Sequence, residues 1–143
     1  MKTLKFLILF MLLYNCTSEP DEFKFTAILT NESGTEATVS FYYTEELVKT
    51  IVLNDSEATS CNYLSEFFDN FNKCDGKIKI NSITVIFPNG KGYTCNSFES
   101  SSEQILCFGE SRNLLLGGFN DLGNRQYEFI ITEEDFDNAH DLP

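Results

Sequence analysis

The feature that most constrains this chain is a two-residue alternation that begins at Phe23. Phe23, Phe25, Ala27 and Leu29 alternate with Lys24, Thr26 and Thr30. Side chains on a strand point to opposite faces, so this pattern builds one core face and one wet face. Asn31, Glu32, Ser33 and Gly34 then break the run as a turn. Ala37, Val39, Phe41 and Tyr43 resume it, with Thr38 and Ser40 on the other face. After Thr44, Glu45 and Glu46, a run from Leu47 to Leu53 follows, and its internal Lys49 suits an edge strand that must resist unwanted pairing. Three strands in a meander are predicted.

A second strand block opens at Lys77. Ile78 and Ile80 share one phase, whereas Ile83, Val85 and Phe87 share the other. Asn81 and Ser82 sit where the phase slips, which implies a bulge or a strand break. Phe87 is followed by Pro88, Asn89, Gly90 and Lys91, and Asn-Gly between apolar strands is the strongest hairpin signal in the chain. Gly92 to Cys95 return. A short strand is expected over Ile105 to Phe108, and a last one through Tyr127, Phe129 and Ile131, with turn-rich sequence over 120–124 between them. Thr132 ahead of Glu133, Glu134 and Asp135 reads as an N-cap and an acidic first turn of a short final helix. Tyr63, Leu64, Phe67, Phe68 and Phe71 fall at helical spacing, which predicts a second short helix near 63–71. The expected fold is all-β: an antiparallel, Ig-like sandwich or small barrel of about seven or eight strands with these two helices.

Charge narrows the partners. The 143 residues carry 10 Lys+Arg against 22 Asp+Glu, with one His and no Trp. No basic stripe is present, so the footprint of a DNA or RNA binder is missing. With 14 Phe and 6 Tyr there is ample material for one core, and one domain is the default at this length.

The first residues are of another kind. Lys2 and Lys5 precede nine apolar residues, Phe6 to Tyr14. That is the charged and apolar layout of an export signal, and it is far short of the roughly 20 residues a spanning helix needs. Leu13, Tyr14, Asn15 and Cys16 then resemble a lipobox, in which a Leu stands three residues before a lipid-bearing cysteine. Ser18, Glu19, Pro20, Asp21 and Glu22 resemble the Ser-plus-acidic surface-export signal of Bacteroidetes lipoproteins; a plain solvated tether reads almost as well. An ordinary secretory signal cleaved after Ser18 is the alternative to lipidation. With Ile83 to Lys91 in the middle and Tyr127 to Ala139 at the end, the chain is similar to small flavobacterial lipoproteins. The resemblance implies a signal peptide over 1–15, an acidic tether over 16–22, and one β-rich domain over 23–143. It implies an outer-membrane, lipid-anchored protein at the cell surface, whose partner through Cys16 is the membrane itself. It brings no activity and no site residue beyond Cys16. Removing residues 1–15 takes away two lysines and no acid, leaving 8 basic against 22 acidic residues.

With Cys16 assigned to lipid, Cys61, Cys74, Cys95 and Cys107 form an even set in an oxidising compartment, as expected of two disulfides. Three connectivities are open. Cys95 with Cys107 would close the polar loop from Asn96 to Glu103. Cys61 with Cys74 conflicts with a continuous helix, which would hold them about 20 Å apart against the 5 to 6 Å or so a disulfide requires. Either the helix is limited to two turns with the flanks folding back, or the pairing is not local.

No nucleophile elbow, zinc-protease motif or phosphate loop occurs. His140, near the C-terminus, is expected to be a solvated side chain. Paired carboxylates for glycoside hydrolysis need two acids facing across a cleft, and neither Glu45 with Glu46 nor Glu133 to Asp135 announces one. Weak calcium candidates are the Asp and Asn residues over Asp69 to Gly76, and Asp135 with Asp137. No metal, cofactor or catalytic residue is assigned. An exposed aromatic could meet a sugar face: Tyr42 is out of phase with Phe41, and Phe98 lies in the polar loop and is the chosen ligand-contact residue. The expected function is therefore a non-catalytic binding or interaction module for an unidentified protein or glycan, without nucleic acid. The alternatives are a periplasmic inhibitor or accessory subunit of an enzyme, and a carboxylate-based glycan hydrolase.

Overall fold

The computed structural model describes residues 21–74, 79–96, 107–108 and 112–142. Among the described residues, nine strands form two sheets. In chain order they are β1 (Phe23–Glu32), β2 (Ala37–Tyr43), β3 (Glu46–Leu53), β4 (Glu57–Ser65), β5 (Ser82–Ile86), β6 (Lys91–Asn96), β7 (Asn120–Gly123), β8 (Gln126–Thr132) and β9 (His140–Asp141). One sheet has the order β4-β1-β8-β7 and the other β3-β2-β5-β6-β9. The all-β two-sheet expectation holds. All pairs are antiparallel except β1 with β8, which run parallel from Thr26 beside Gln126 to Glu32 beside Thr132.

The alternation foreseen at Phe23 does what its period dictates. Phe25, Ala27 and Leu29 of β1 are buried, and so are Val39 and Phe41 of β2, Ile83 and Val85 of β5, and Phe129 and Ile131 of β8. Burying a large apolar side chain is worth roughly 1.5 to 3 kcal/mol, so these facing rows drive the packing of sheet on sheet. Aromatic rings run through the interior as a continuous chain: Phe68 stacks on Tyr127 with centroids 3.9 Å apart, Phe119 reaches Phe68 at 5.1 Å and Phe129 at 5.4 Å, and Phe129 meets Phe108 at 5.2 Å. Lys49 lies on β3, at the sheet edge, as expected. The hairpin at Asn89-Gly90 also forms, with Gly90 at φ +80° and the Phe87 N–H donating to the Lys91 carbonyl at 2.9 Å.

The helix expected near 63–71 is absent. Those residues instead supply the end of β4, in which Tyr63 and Ser65 are buried and Leu64 is exposed, followed by turns in which the Asn72 N–H meets the Asp69 carbonyl. The aromatic spacing fits both periods, and two longer-range constraints decide between them. Nine residues of β1 pair with β4, from Phe23 beside Ser65 to Asn31 beside Glu57, and Cys61 bonds to Cys74 across a Cα–Cα distance of 5.5 Å. The second disulfide joins Cys95 to Cys107 at 4.9 Å. Three further expectations are corrected. The first three strands do not form one meander, since β1 pairs with β4 and β8 while β2 and β3 belong to the other sheet. Residues 120–123 form β7 rather than a turn, and the phase slip at Asn81 is a strand break, since β5 starts at Ser82. The proposed strand over Ile105 to Phe108 lies mostly outside the described residues; Phe108 makes an isolated bridge to Arg112.

Two buried polar hubs set the corners. Asn31 is fully buried, and its amide donates to the Thr35 carbonyl at 2.7 Å and the Leu53 carbonyl at 2.9 Å while its Oδ1 accepts from the Ser33 N–H and hydroxyl. It thereby ties the β1 end to the β3 end in the other sheet. The second hub is Asp135, in the short helix α1 (Glu133–Asp137) whose Thr132 N-cap and reciprocal Asp135 contact form a capping box. Arg112 Nη1 holds both Asp135 oxygens, at 2.8 and 3.1 Å, and its Nη2 donates to the Ile130 carbonyl. The guanidinium carbon stands 4.9 Å from the Phe129 ring centre, and the buried Tyr93 hydroxyl donates to the Asp135 carbonyl at 2.6 Å. Burial, with the Asp135 charge adding to it and Arg112 opposing it, raises the Tyr93 pKa.

Arg112→Leu would leave the Asp135 carboxylate, 5% exposed, without its counter-charge. The expected loss in urea denaturation is about 3 kcal/mol, with partial recovery in Arg112→Leu/Asp135→Asn; a loss no larger than for an exposed ion pair would remove the pair as a keystone. Tyr63 provides a second prediction. Burial pushes its hydroxyl up to about 12 from 10.0, opposed by the Asp69 N–H that it accepts and reinforced by the charges of Asp69 and Tyr127. The folded chain keeps a proton that the unfolded chain releases near 10, so its stabilising contribution is intact below that pH and falls as pH rises toward 12. Tyr63→Phe is predicted to flatten the alkaline arm of a stability-versus-pH curve, read by denaturant midpoint.

Candidate functional site

The outer face of the five-stranded sheet bears a cleft of about 520 Å³ lined by Tyr42, Thr44, Glu45, Asn81, Ser82, Thr84 and Asn96. Register builds it. Tyr42 pairs with Ser82 and Ser82 with Asn96, so three adjacent strands contribute one row, and Thr84 stands two residues further along β5. These side chains face outward because their neighbours Phe41, Ile83 and Cys95 take the core positions. A register shift between Phe41 and Tyr42 in the β2–β3 pairing bends the strand end, and a bulge of this kind re-aims the residues beyond it. Tyr42 is consequently half-buried, whereas Tyr43 is exposed.

One wall is the β2–β3 turn. Thr44 and Glu45 both have positive φ, 45° and 68°, the conformation of a two-residue primed hairpin turn that ordinarily takes Asn-Gly. For a β-branched Thr this is strained, at a cost of order 1 kcal/mol or more. Asn81 holds the turn in place: its Oδ1 accepts from the Thr44 N–H at 3.1 Å, while its own N–H donates to the Tyr42 carbonyl at 3.0 Å. The phase slip at Asn81 and Ser82 was the visible trace of this site, since two successive polar residues between apolar ones mark where the chain leaves the core to build the cleft floor.

Chemically, the lining offers one aromatic ring, three hydroxyls in Thr44, Ser82 and Thr84, two amides in Asn81 and Asn96, and a single carboxylate, Glu45. Hydroxyls and amides both donate and accept, which suits a ligand with many hydroxyls of its own. Two facing carboxylates are not part of the lining; Glu46 belongs to β3 and does not line the cleft. Among the described residues no group of three or more His, Cys, Asp or Glu gathers in a way that could hold a metal ion. The calcium candidate at Asp135 and Asp137 is overturned, because Arg112 and Thr132 already occupy the Asp135 carboxylate. In the other candidate, Asp69 lies 3.7 Å from the Lys73 ammonium, and Asp75 and Gly76 are outside the described residues. His140 is exposed, as expected, but it sits in β9 beside Gly92 with its ring edge-on to Tyr93 at 5.3 Å. Cys16 and Phe98 lie outside the described residues. Phe98 follows the cleft residue Asn96 by two positions in the sequence.

Replacing Thr44-Glu45 by Asn-Gly is predicted to relieve the turn and raise stability by about 1 kcal/mol, measured as an upward shift in Tm. An unchanged or lower Tm would show that the turn is not strained. No protein-family model, curated protein or solved structure matches this chain.

Proposed function

We propose that this chain is a lipid-anchored, surface-exposed lipoprotein of the outer membrane whose β-sandwich is a non-catalytic binding module, and that its ligand is a neutral saccharide held in the Tyr42 cleft. The observation that supports the reading is the composition of that cleft: one half-buried aromatic ring beside hydroxyl and amide side chains, in about 520 Å³, within the size range of ligand sites. A sugar ring presents apolar C–H faces to an aromatic ring and hydroxyls at its rim, so Tyr42 would supply stacking while Ser82, Thr84 and Asn96 exchange hydrogen bonds with the rim. Glu45 adds an acceptor for sugar hydroxyls and disfavours anionic ligands. The lipobox-like Leu13 and Cys16 support the anchor, and more than one acyl chain gives durable attachment where a single chain does not. Among the described residues no helix is long and apolar enough to cross a membrane.

Two measurements test this. Titration of the protein with a panel of neutral and acidic oligosaccharides, followed by calorimetry, is expected to find a neutral binder whose affinity drops about tenfold, or about 1.4 kcal/mol, in Tyr42→Ala. Absence of any saccharide binding, or binding indifferent to Tyr42→Ala and Thr84→Val, sinks the ligand assignment. For the anchor, metabolic labelling with a clickable palmitate analogue should mark the wild type and not Cys16→Ala; an unlabelled wild type refutes it.

A further inference from the structure

We infer that the end of the sandwich at which the chain enters β1 is a membrane-docking surface that lies on the lipid bilayer in the anchored protein. The inference rests on the Cys16 anchor proposed above and is independent of what the cleft binds.

Topology gives the sandwich two ends that differ in exposed apolar surface. β1 runs away from its first residue, Phe23, to a corner where Asn31 gathers the Leu53 carbonyl and where the Gly34 N–H meets Asp55. β2 and β4 run back, so Tyr43, the β2–β3 turn and the close of β4 at Ser65 return to the Phe23 end. β8 starts there too, parallel to β1. Nine large hydrophobic side chains are exposed among the described residues, and six of them belong to this end: Phe23, Tyr43, Leu47, Leu64, Phe67 and Leu122. Phe67 is 75% exposed and Leu64 59%. Such grouping is unusual on a surface that meets only water.

Cations accompany the apolar side chains. Arg125 stands over the Phe23 ring at 4.1 Å. Lys24 and Lys73 flank Leu64 in a concavity of about 540 Å³ that also includes Glu22, Asn62 and Tyr63. An aromatic and aliphatic rim with lysine and arginine heads suits the boundary between headgroups and acyl chains. Charge does not separate the two ends: the opposite end carries Glu36, Asp55, Glu57, Glu133, Glu134 and Asp141, all exposed, and the Phe23 end carries Glu22, Glu45, Glu46, Glu66 and Asp121, exposed as well.

Reach makes the choice between ends. Six residue steps lead from Cys16 to Glu22, and at full extension they span at most about 20 Å. The ten residues of β1 extend about 30 Å along the sandwich. The tether is shorter than the body it holds, so the opposite end cannot sit end-on against the lipid, which would hold Phe23 about 30 Å above it, whereas the Phe23 end can. Docking in this orientation brings the Tyr42 cleft, on the same half of the molecule, near headgroup level.

The chain has no Trp, which gives a clean reporter. Full-length lipidated protein carrying Phe67→Trp is reconstituted into vesicles of phosphatidylcholine with a minority of phosphatidylglycerol, with and without bromine on the acyl chains. Docking predicts blue-shifted indole emission and about twofold quenching by the brominated lipid, whereas Val52→Trp, exposed at the opposite end, stays unquenched. Solvent-like, unquenched emission from Phe67→Trp in vesicle-bound protein overturns the docking while leaving the anchor intact. Blue-shifted emission without lipid quenching also overturns it and assigns the surface to a second copy of the chain. Mass spectrometry of the same sample separates the two readings, since a Cys16 without acyl groups overturns anchor and docking together.

Discussion

The Arg112–Asp135 contact is the interaction on which the remaining architecture leans. A carboxylate this buried is tolerated only when its oxygens are engaged, and here Arg112 takes both while the Thr132 N–H and hydroxyl share Oδ2. The consequences spread in three directions. Capping by Thr132 starts α1 where β8 ends. The guanidinium, bonded to the Ile130 carbonyl and set between the Phe108 and Phe129 rings, binds the 112–118 segment to the four-stranded sheet. Tyr93 of β6, bonded to the Asp135 carbonyl, brings in the five-stranded sheet. One ion pair thus links the C-terminal helix, a connecting segment and both layers.

At the same end of the molecule Asn31 performs the corresponding task without charge. Because it satisfies two carbonyls and a turn from a fully buried position, the β1–β2 and β3–β4 corners are drawn together. With that end closed by polar hubs, the opposite end is free to carry function. There lie the strained Thr44-Glu45 turn, the cleft and the exposed aromatic rim. The proposed arrangement has the anchor, the docking surface and the saccharide cleft at one end and structural closure at the other.

Most of the strand content was legible from period alone, because burial on one face of a strand forces alternation and nothing else in the chain competes with it. Phe23 to Leu29, Ala37 to Tyr43 and Tyr127 to Ile131 all follow it. Tyr63 to Phe71 did not, since aromatics at spacings of four satisfy a helix stripe and also a strand end followed by turns. Pairing of β4 with β1 over nine residues settled the ambiguity. β7 was read as a turn because its residues are all exposed, and a strand with no buried face leaves no periodic trace. Of the cleft, Tyr42 was visible as an out-of-phase aromatic and Asn81-Ser82 as a break, but Thr84 and Asn96 look like any outward strand residue until the register places them beside Tyr42.

The sequence by itself determined an acidic, all-β chain with an even set of cysteines beyond an apolar, lipobox-like start, since composition, period and cysteine parity are local properties. Only the tertiary structure decided which cysteines pair, that β1 and β8 run parallel, that Asp135 is an ion-pair partner rather than a calcium ligand, and which apolar side chains remain outside. Each of these depends on residues far apart in sequence being brought together, and no local pattern carries that information.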